Sequence, residues 1–445
     1  MIRRSSLIIL ATLFFFASSF ASVSSASSAL GQSPVAGIHQ VTTIKDCCSP
    51  SLFYDPLGKY VYAVTSTVAV IDSSNKVIAN LSLSQGVDYA LFDSSNSKLY
   101  VAGSQSFTII QGTKISTTVK TPIGGPSLLT YDPASKQIYF IGDGKGGVYL
   151  DALSTVTNKF SSPIFLVKTS CGYDCSYSVP GIVVNPSGGE VFVNTCMASP
   201  GGVYGNASVY DPSGHLVTYF YDNTGDGCYM GELADPSNGE MYILDTLNAV
   251  YSANGSSSNV FVVGSSGAIA AAFPSLRTCA SSVGCSGGEI TDLFYNPSSG
   301  EMYVTCSSCF GYDSSTGEYQ YSTIAVSGTN KVVYSTVNTL LPILVDSANG
   351  DMWTNGIGSG TVLLNSMNKQ VGALPFEVGF SFNYADAFAP TNKDLYFDNF
   401  TNLYVVTPAN TVSNTFRFAC NSMVFDSVSA NVLCAGLQTI LVLSS

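Results

Sequence analysis

Charged residues are scarce in this 445-residue chain, making up 10% of it against roughly a quarter in ordinary soluble proteins. The 17 Lys and Arg are outnumbered by 29 Asp and Glu, for a net charge of −12. So few cations cannot neutralise a phosphate backbone, which argues against nucleic acid as a partner. Histidine is nearly missing too. His39 and His215 are the two present, and with no Gly-x-Ser-x-Gly elbow in the chain a serine-hydrolase triad has no support. Beyond the N-terminal segment no run keeps about 18 apolar residues together, so no later membrane-spanning helix is expected. No segment of the mature chain carries helical periodicity. Low charge fits either a densely packed or glycosylated surface protein, or one exposed to acid, where carboxylates would be protonated.

The chain does have a basic, then apolar, then small-residue beginning. Met1-Ile-Arg-Arg4 precedes an apolar run from Leu7 to Ala17 and a small-residue stretch with Ser19-Phe-Ala21 as cleavage site. Residues 1–29 therefore read as a signal peptide and spacer, and the mature protein is expected to be secreted or extracellular and associated with the cell surface. A membrane contact would require this segment to remain uncleaved.

The organising motif is Leu293-Phe-Tyr-Asn-Pro-Ser-Ser-Gly-Glu-Met-Tyr-Val-Thr305: an apolar strand, an Asn-Pro turn closed by Gly, and a second alternating strand. Pro fixes its own φ and Gly takes the left-handed position, so the flanking runs are antiparallel neighbours. The turn residue recurs as Asp55, Asp93, Asp132, Asn185, Asp235, Asn296, Asp346, Ala389 and Asp426. The base period is about 40 residues, the size of a propeller blade or solenoid repeat. Second strands follow the turns, as in Tyr60-Val-Tyr-Ala-Val64, then third strands such as Val68-Ala-Val-Ile-Asp72, then in many copies a fourth such as Lys76-Val-Ile-Ala-Asn-Leu81. Four short antiparallel strands per repeat predict an all-β chain, a β-propeller of four-stranded blades over residues 38–445. The last copy ends after its third strand, Thr439-Ile-Leu-Val-Leu443, while an orphan strand, His39-Gln-Val-Thr-Thr-Ile44, precedes the first. Completing the last blade with that orphan closes the ring and removes two free sheet edges.

Tyr-Asp-Pro, Tyr-Val-Tyr-Ala-Val and Val-Ala-Val-Ile-Asp at residues 54–72 resemble the YVTN-type propeller repeat of secreted and surface-layer-associated archaeal and bacterial proteins. The resemblance covers nearly all of residues 50–443. Seven or eight blades are usual in that family, whereas nine repeats are counted here. Its members share no single activity, so the resemblance implies a fold and not a function.

Twelve cysteines in an exported chain imply disulfides: Cys47, Cys48, Cys171, Cys175, Cys196, Cys228, Cys279, Cys285, Cys306, Cys309, Cys420 and Cys434. The start of strand one and the end of strand two lie side by side on the face opposite the Asp-Pro turn. From that placement Cys47 or Cys48 is expected to bond Cys420 or Cys434 and fasten the first blade to the last. Cys196–Cys228 would join copies four and five, and Cys171–Cys175, Cys279–Cys285 and Cys306–Cys309 would be local staples. Cys306-x-x-Cys309 has metal-ligand spacing but lacks the second pair of a structural zinc site.

First strands approach the central channel, so their acids are the ligand candidates: Asp88, Glu232, Asp292 and Asp386, three to five residues before their turns. They could hold a cation or polarise a substrate, as in propeller lactonases. Asp292 is out of phase with Glu232 and Asp386 unless its strand is bulged. Asp222, Thr224 and Asp226 occupy alternate positions with Gly227 next, like the first half of a calcium loop, but Leu233 stands where the closing Glu belongs. Asn80, Asn206, Asn254 and Asn399 head glycosylation sequons. His215 follows a turn of the repeat type and reads as a solvent-exposed hairpin residue. Trp353, the lone tryptophan, takes the tyrosine place of its second strand and reads as core.

Insertions at 161–177, 252–288 and 306–321 carry cysteine pairs and cluster around copies four to six. Braced loops on one sector of a rigid ring are where binding resides. The expected function is therefore a non-enzymatic recognition or scaffold module for protein or glycan at the cell surface, with no cofactor. The alternative is a secreted lactonase-type hydrolase using a channel-bound calcium or other divalent cation. A quinone-dependent dehydrogenase is more distant, because those propellers resemble one another in tryptophan-docked blades and this chain has one Trp.

Overall fold

A computed structural model describes residues 39–45, 50–168 and, with short interruptions, 176–444. These residues form nine antiparallel blades and, among them, no helix. Blade one is Ser51–Asp55, Tyr60–Val64, Thr67–Asp72 and Val77–Ser82. Blades two to eight begin at Tyr89–Asp93, Gly124–Asp132, Ser176–Val184, Met230–Asp235, Glu289–Asn296, Leu340–Val345 and Asp386–Ala389. Blade nine is Ser422–Asp426, Asn431–Ala435 and Thr439–Ser444, with His39–Lys45 laid antiparallel along Thr439–Ser444.

Each sheet is buried on both faces, which is why the second strands are apolar without a break. In blade one, Val61 and Ala63 pack back onto Leu433 and Val442 of blade nine, while Tyr62 and Val64 pack forward onto Phe92 and Val101 of blade two. This alternation repeats around the ring. The tyrosine place is always the forward one: Tyr100 reaches blade three, Tyr139 blade four, Phe192 blade five, Tyr303 blade seven, Trp353 blade eight, Tyr396 blade nine and Leu433 blade one. Trp353 is core, its ring edge-on to Phe397 at 5.7 Å. Two tyrosine hydroxyls extend the reach. Tyr100 donates to the Thr155 carbonyl at 3.3 Å, and Tyr303 bonds Asn368 across the blade six to blade seven interface. Outer strands alternate between exposed and half-buried positions.

The seam between blades one and nine is closed by packing and by bonds from Leu52 N to Ser422 Oγ and between Tyr54 Oη and Ser427 Oγ. Whether the N-terminal strand secures that seam is open to test. Deleting residues 39–45 exposes the edge of Thr439–Ser444, and the expected result is a lower melting temperature and faster proteolysis at blade nine than elsewhere. An unchanged melting temperature would assign the closure to the side-chain seam alone.

Most of the described turn residues are buried structural acceptors; Ala389 has no acceptor side chain, and Asp346 lies outside the described residues. Asp55 Oδ1 accepts from Leu57 N, Gly58 N and, across the interface, Ser97 Oγ of blade two at 2.8 Å. Asn185 Oδ1 accepts from Ser187 N, while its Nδ2 donates to the Gly239 carbonyl of blade five at 2.8 Å. Glycine is not the general solution at the left-handed position, contrary to the simplest reading of the repeat. The fourth residue after the turn residue has φ near +55 to +76° as Lys59, Ser97, Lys136, Gly189, Gly239, Gly300 and Ala430. At Lys59 the five-residue turn is closed by a bond from its backbone N–H to Asp55 O at 2.7 Å, which holds the conformation although a Cβ opposes it. Ala430→Gly should therefore raise stability by roughly 0.5–1 kcal/mol, the left-handed penalty less the extra unfolded freedom of Gly, read as an increase in denaturation midpoint without a change in slope.

Two expectations need correction. Cys420 and Cys434 are bonded to each other, with Cα atoms 5.5 Å apart, and do not reach back to Cys47 or Cys48. Adjacent strands of one sheet lie about 5 Å apart and stacked sheets about 10 Å apart, so positions side by side within a blade are bonded within it. Closing a short loop of this kind is worth about 3 kcal/mol on the chain-entropy model. Cys196 is also disulfide-bonded. Cys47, Cys48, Cys171, Cys175, Cys228, Cys279, Cys285 and Cys309 lie outside the described residues, and Cys306 is placed in the second strand of blade six. The second correction concerns the insertions: 161–177 and 252–288 include the outer strand of blade three, Ile164–Lys168, and the third and fourth strands of blade five, Val260–Val263 and Ile269–Phe273. Blade four keeps its four antiparallel strands, and its sheet is extended to seven. Val250–Ser252 pairs with the outer strand Leu216–Asp222, Ser257–Ser258 follows it, and Asp226–Gly227 runs parallel to Gly202–Tyr210. An open outer edge accepts a strand from any nearby inserted segment.

Candidate functional site

First strands of successive blades are neighbours and so surround the axis. The four acid candidates lie on or just before such strands, distributed over blades two, five, six and eight. Asp88 precedes Tyr89–Asp93 and is exposed. Glu232 pairs with Ile243, and Asp386 with Phe397. Asp292 pairs with Thr305, and the strand is bulged between Ile290 and Asp292. Because the bulge falls before Asp292, the run to Asn296 is regular and Asp292 keeps a register out of phase with Glu232. Among the described residues no group of three His, Cys, Asp or Glu is placed to hold a metal ion.

Asp222 ends the outer strand of blade four, opposite Val250, and Asp226 pairs with Val203; Thr224 lies outside the described residues. The segment is thus tied to the sheet at both ends. Of the sequons, Asn80 is exposed on the outer strand of blade one, Asn206 lies in the third strand of blade four, and Asn254 and Asn399 lie outside the described residues.

A groove of about 520 Å³ opens on the rim between the outer strand of blade three, Ile164–Lys168, and the third and fourth strands of blade four. Phe165, Leu216 and Tyr219 are 50%, 54% and 40% exposed along it. At one end Gly214, with φ +87°, approaches Ile164 so closely that a Cβ there would lie 2.7 Å from Ile164 Cδ1. His215 stands beside that turn, 83% exposed by its side chain.

The order Asp211, Ser213, His215 invites comparison with a catalytic triad, but the bonds run the wrong way. Asp211 Oδ1 accepts from Ser213 Oγ at 2.6 Å and from the backbone N–H of Ser213 and His215. Ser213 Oγ is also 2.7 Å from His215 Nδ1. With the serine proton on the carboxylate, the imidazole is not positioned to remove it, so the hydroxyl is a turn brace and not a nucleophile. The Ser213 hydroxyl and the His215 N–H hold the Asp211 carboxyl down at about 2. This agrees with a solvent-exposed hairpin histidine.

Sequence reasoning missed the buried acids outside the turns, among them Glu190, Asp394, Asp398 and Asp151. Asp151, in the third strand of blade three, Gly147–Ser154, is 1% exposed. Its Oδ1 accepts from Ala152 N at 2.7 Å and Ser161 Oγ at 2.8 Å, while Oδ2 is shielded with no partner among protein atoms. Its strand partner Phe140 packs with Phe107 and Phe160 in an aromatic trio, centroids 5.3–6.1 Å apart. Burial pushes the carboxyl up to about 6, against the opposing effect of the Ser161 and Ala152 bonds. The signal was an acid in the middle of an apolar third strand.

No family model matches the chain, and no curated protein matches it. Solved propellers do. The chain is similar to the β-propeller domain of Cps50 (Swd1) from Myceliophteria thermophila at 12% identity, covering 92% of this chain and 100% of that one, with a TM-score of 0.40. It is similar to BamB from Moraxella catarrhalis at 9% identity, over 92% and 100% of the two chains, with a TM-score of 0.46. It is similar to the dihydro-heme d1 dehydrogenase NirN at 12% identity, over 85% and 78%, with a TM-score of 0.48. Likeness of this degree carries nothing about ligand or activity, and the nine-bladed architecture rests on the sheet pairing itself.

Proposed function

We propose that this chain is an exported, non-enzymatic β-propeller of the YVTN type that serves as a recognition or scaffold module for protein or glycan at a cell surface. The observation that carries this reading is the asymmetry of the ring. Blade one is built of strands of five and six residues, whereas the first three strands of blade four have nine each, and that sheet gathers three further strands from later segments. One sector is therefore built up well beyond what ring closure requires. Residues 274–288, between Ile269–Phe273 and Glu289–Asn296, and 308–321, between Glu301–Ser307 and Ser322–Val326, follow in blades five and six, and loops held by a rigid frame lose little freedom on binding.

The experiment is a binding measurement of exported protein against isolated cell-envelope protein and polysaccharide fractions, with the intact ring compared to a variant in which 274–288, between the last strand of blade five and the first of blade six, is replaced by a short linker. Binding that disappears with the insertion while the melting temperature holds supports the reading. Binding indifferent to the replacement, or absent from every fraction, overturns it. Metal analysis belongs beside this test. A stoichiometric divalent cation whose removal lowers the melting temperature would favour the hydrolase alternative built on Asp88, Glu232, Asp292 and Asp386.

A further inference from the structure

We propose that the rim groove between blades three and four binds a short neutral saccharide. The proposal deepens the recognition reading, on which it rests for its extracellular setting, but it places the ligand apart from the insertion loops.

Three features of the groove converge. The first is the absence of formal charge from its lining: apart from the imidazole of His215, no titrating acid or base faces it other than tyrosine. An ionic ligand would find no counter-charge there, whereas a neutral one has none to miss. The second is flat, wet aromatic surface. Tyr219 is well exposed, and its ring lies 6.1 Å from that of Tyr221 on the same strand and the same face. Exposed large apolar side chains are ordinary when scattered, but Phe165, Leu216 and Tyr219 are gathered on one concavity. The C–H face of a pyranose is the apolar surface that stacks on such rings, while its hydroxyl rim still needs donors and acceptors. The third feature supplies an acceptor. Asn206 lines the groove half-buried, and its carboxamide carries both a donor and an acceptor. Ser208, two residues on and therefore on the same side of the strand, adds a hydroxyl. The volume, about 520 Å³, lies in the range of small-ligand sites.

The alternative occupant is a glycan attached to the protein itself, because Asn206 and Ser208 are also the first and third residues of a sequon. That outcome is distinguishable by mass. The test is saturation-transfer NMR with calorimetry on the full exported chain, titrated with neutral di- and trisaccharides of glucose, galactose, mannose and N-acetylglucosamine. Wild type is compared with Tyr219→Ala and Asn206→Ala, and each variant is first checked for an unchanged melting temperature. The expected result is saturable binding by at least one saccharide, weakened about tenfold or more by either substitution. Absence of binding across the panel, binding that survives both substitutions, or an intact mass showing Asn206 already glycosylated would each overturn the groove proposal. Binding to envelope fractions that depends on residues 274–288 would leave the broader recognition reading standing even then.

Discussion

Replacing Trp353 by Ala should be the most damaging single change in the ring. Its side chain is almost wholly buried between blades seven and eight, against Leu363, Leu374, Leu395, Phe397 and Val406. Removing a large aromatic from such a site costs about 3–5 kcal/mol, the transfer loss plus the cavity left behind. This interface has no tyrosine hydroxyl to share the load, since the indole occupies the place that Tyr100 and Tyr303 fill elsewhere. The expected outcome is a large fall in melting temperature, with hydrogen exchange accelerating first in blades seven and eight. Trp353→Phe should lose much less. Equal effects from the two substitutions would show that the ring's volume does not matter and that the interface is held some other way.

The second large effect is one of pH. Asp151 carries a carboxyl raised to about 6 by burial, from an ordinary value of 3.8. Below about 3.8 the group is neutral in both folded and unfolded chains, and its site imposes no charge penalty. Between 3.8 and 6 the unfolded chain ionises while the folded one resists, so stability falls as pH rises. Above 6 the full penalty applies. At 1.4 kcal/mol per unit the loss is about 3 kcal/mol at most across that window. Asp151→Asn keeps the Oδ1 acceptor that Ser161 and Ala152 use and removes the ionisation. The variant should be more stable than wild type at pH 7 and flatter between pH 4 and 7, as measured by thermal unfolding at both ends. A wild-type slope in the variant would place the pH response on other groups.

Most of the architecture was legible because the physics of a blade is local. An Asp or Asn that binds the backbone two residues on, followed by a strand apolar on both sides, leaves a mark at most repeats, with Ala389 in its place in the eighth, and counting Asp55 to Asp426 yields nine. Trp353 was recognisable as core because it stands in register with the tyrosines. The disulfide of blade nine was misread because the chain reveals which positions share a face but not whether the nearest thiol lies across a pair of strands or across a pair of sheets. The left-handed residues Lys59, Ser97, Lys136 and Ala430 went unread because the geometry of the turn imposes a conformation that composition alone disfavours. The groove was invisible for another reason. Ile164 and Phe165 belong to one blade and Asn206 to Tyr219 to the next, so nothing in their spacing announces that they meet.

The forward reach of the second-strand aromatic makes every junction in the ring the same kind of contact: the leading face of one blade against the trailing face of its successor. Units joined head to tail in this way form a closed circle only when the rotation from one to the next divides a full turn. The number of blades is then a property of the angle between neighbouring sheets, and no individual repeat encodes it. An ancestor with eight copies, or a descendant with ten, would need no new chemistry at any junction, only a slight change of angle shared among all of them.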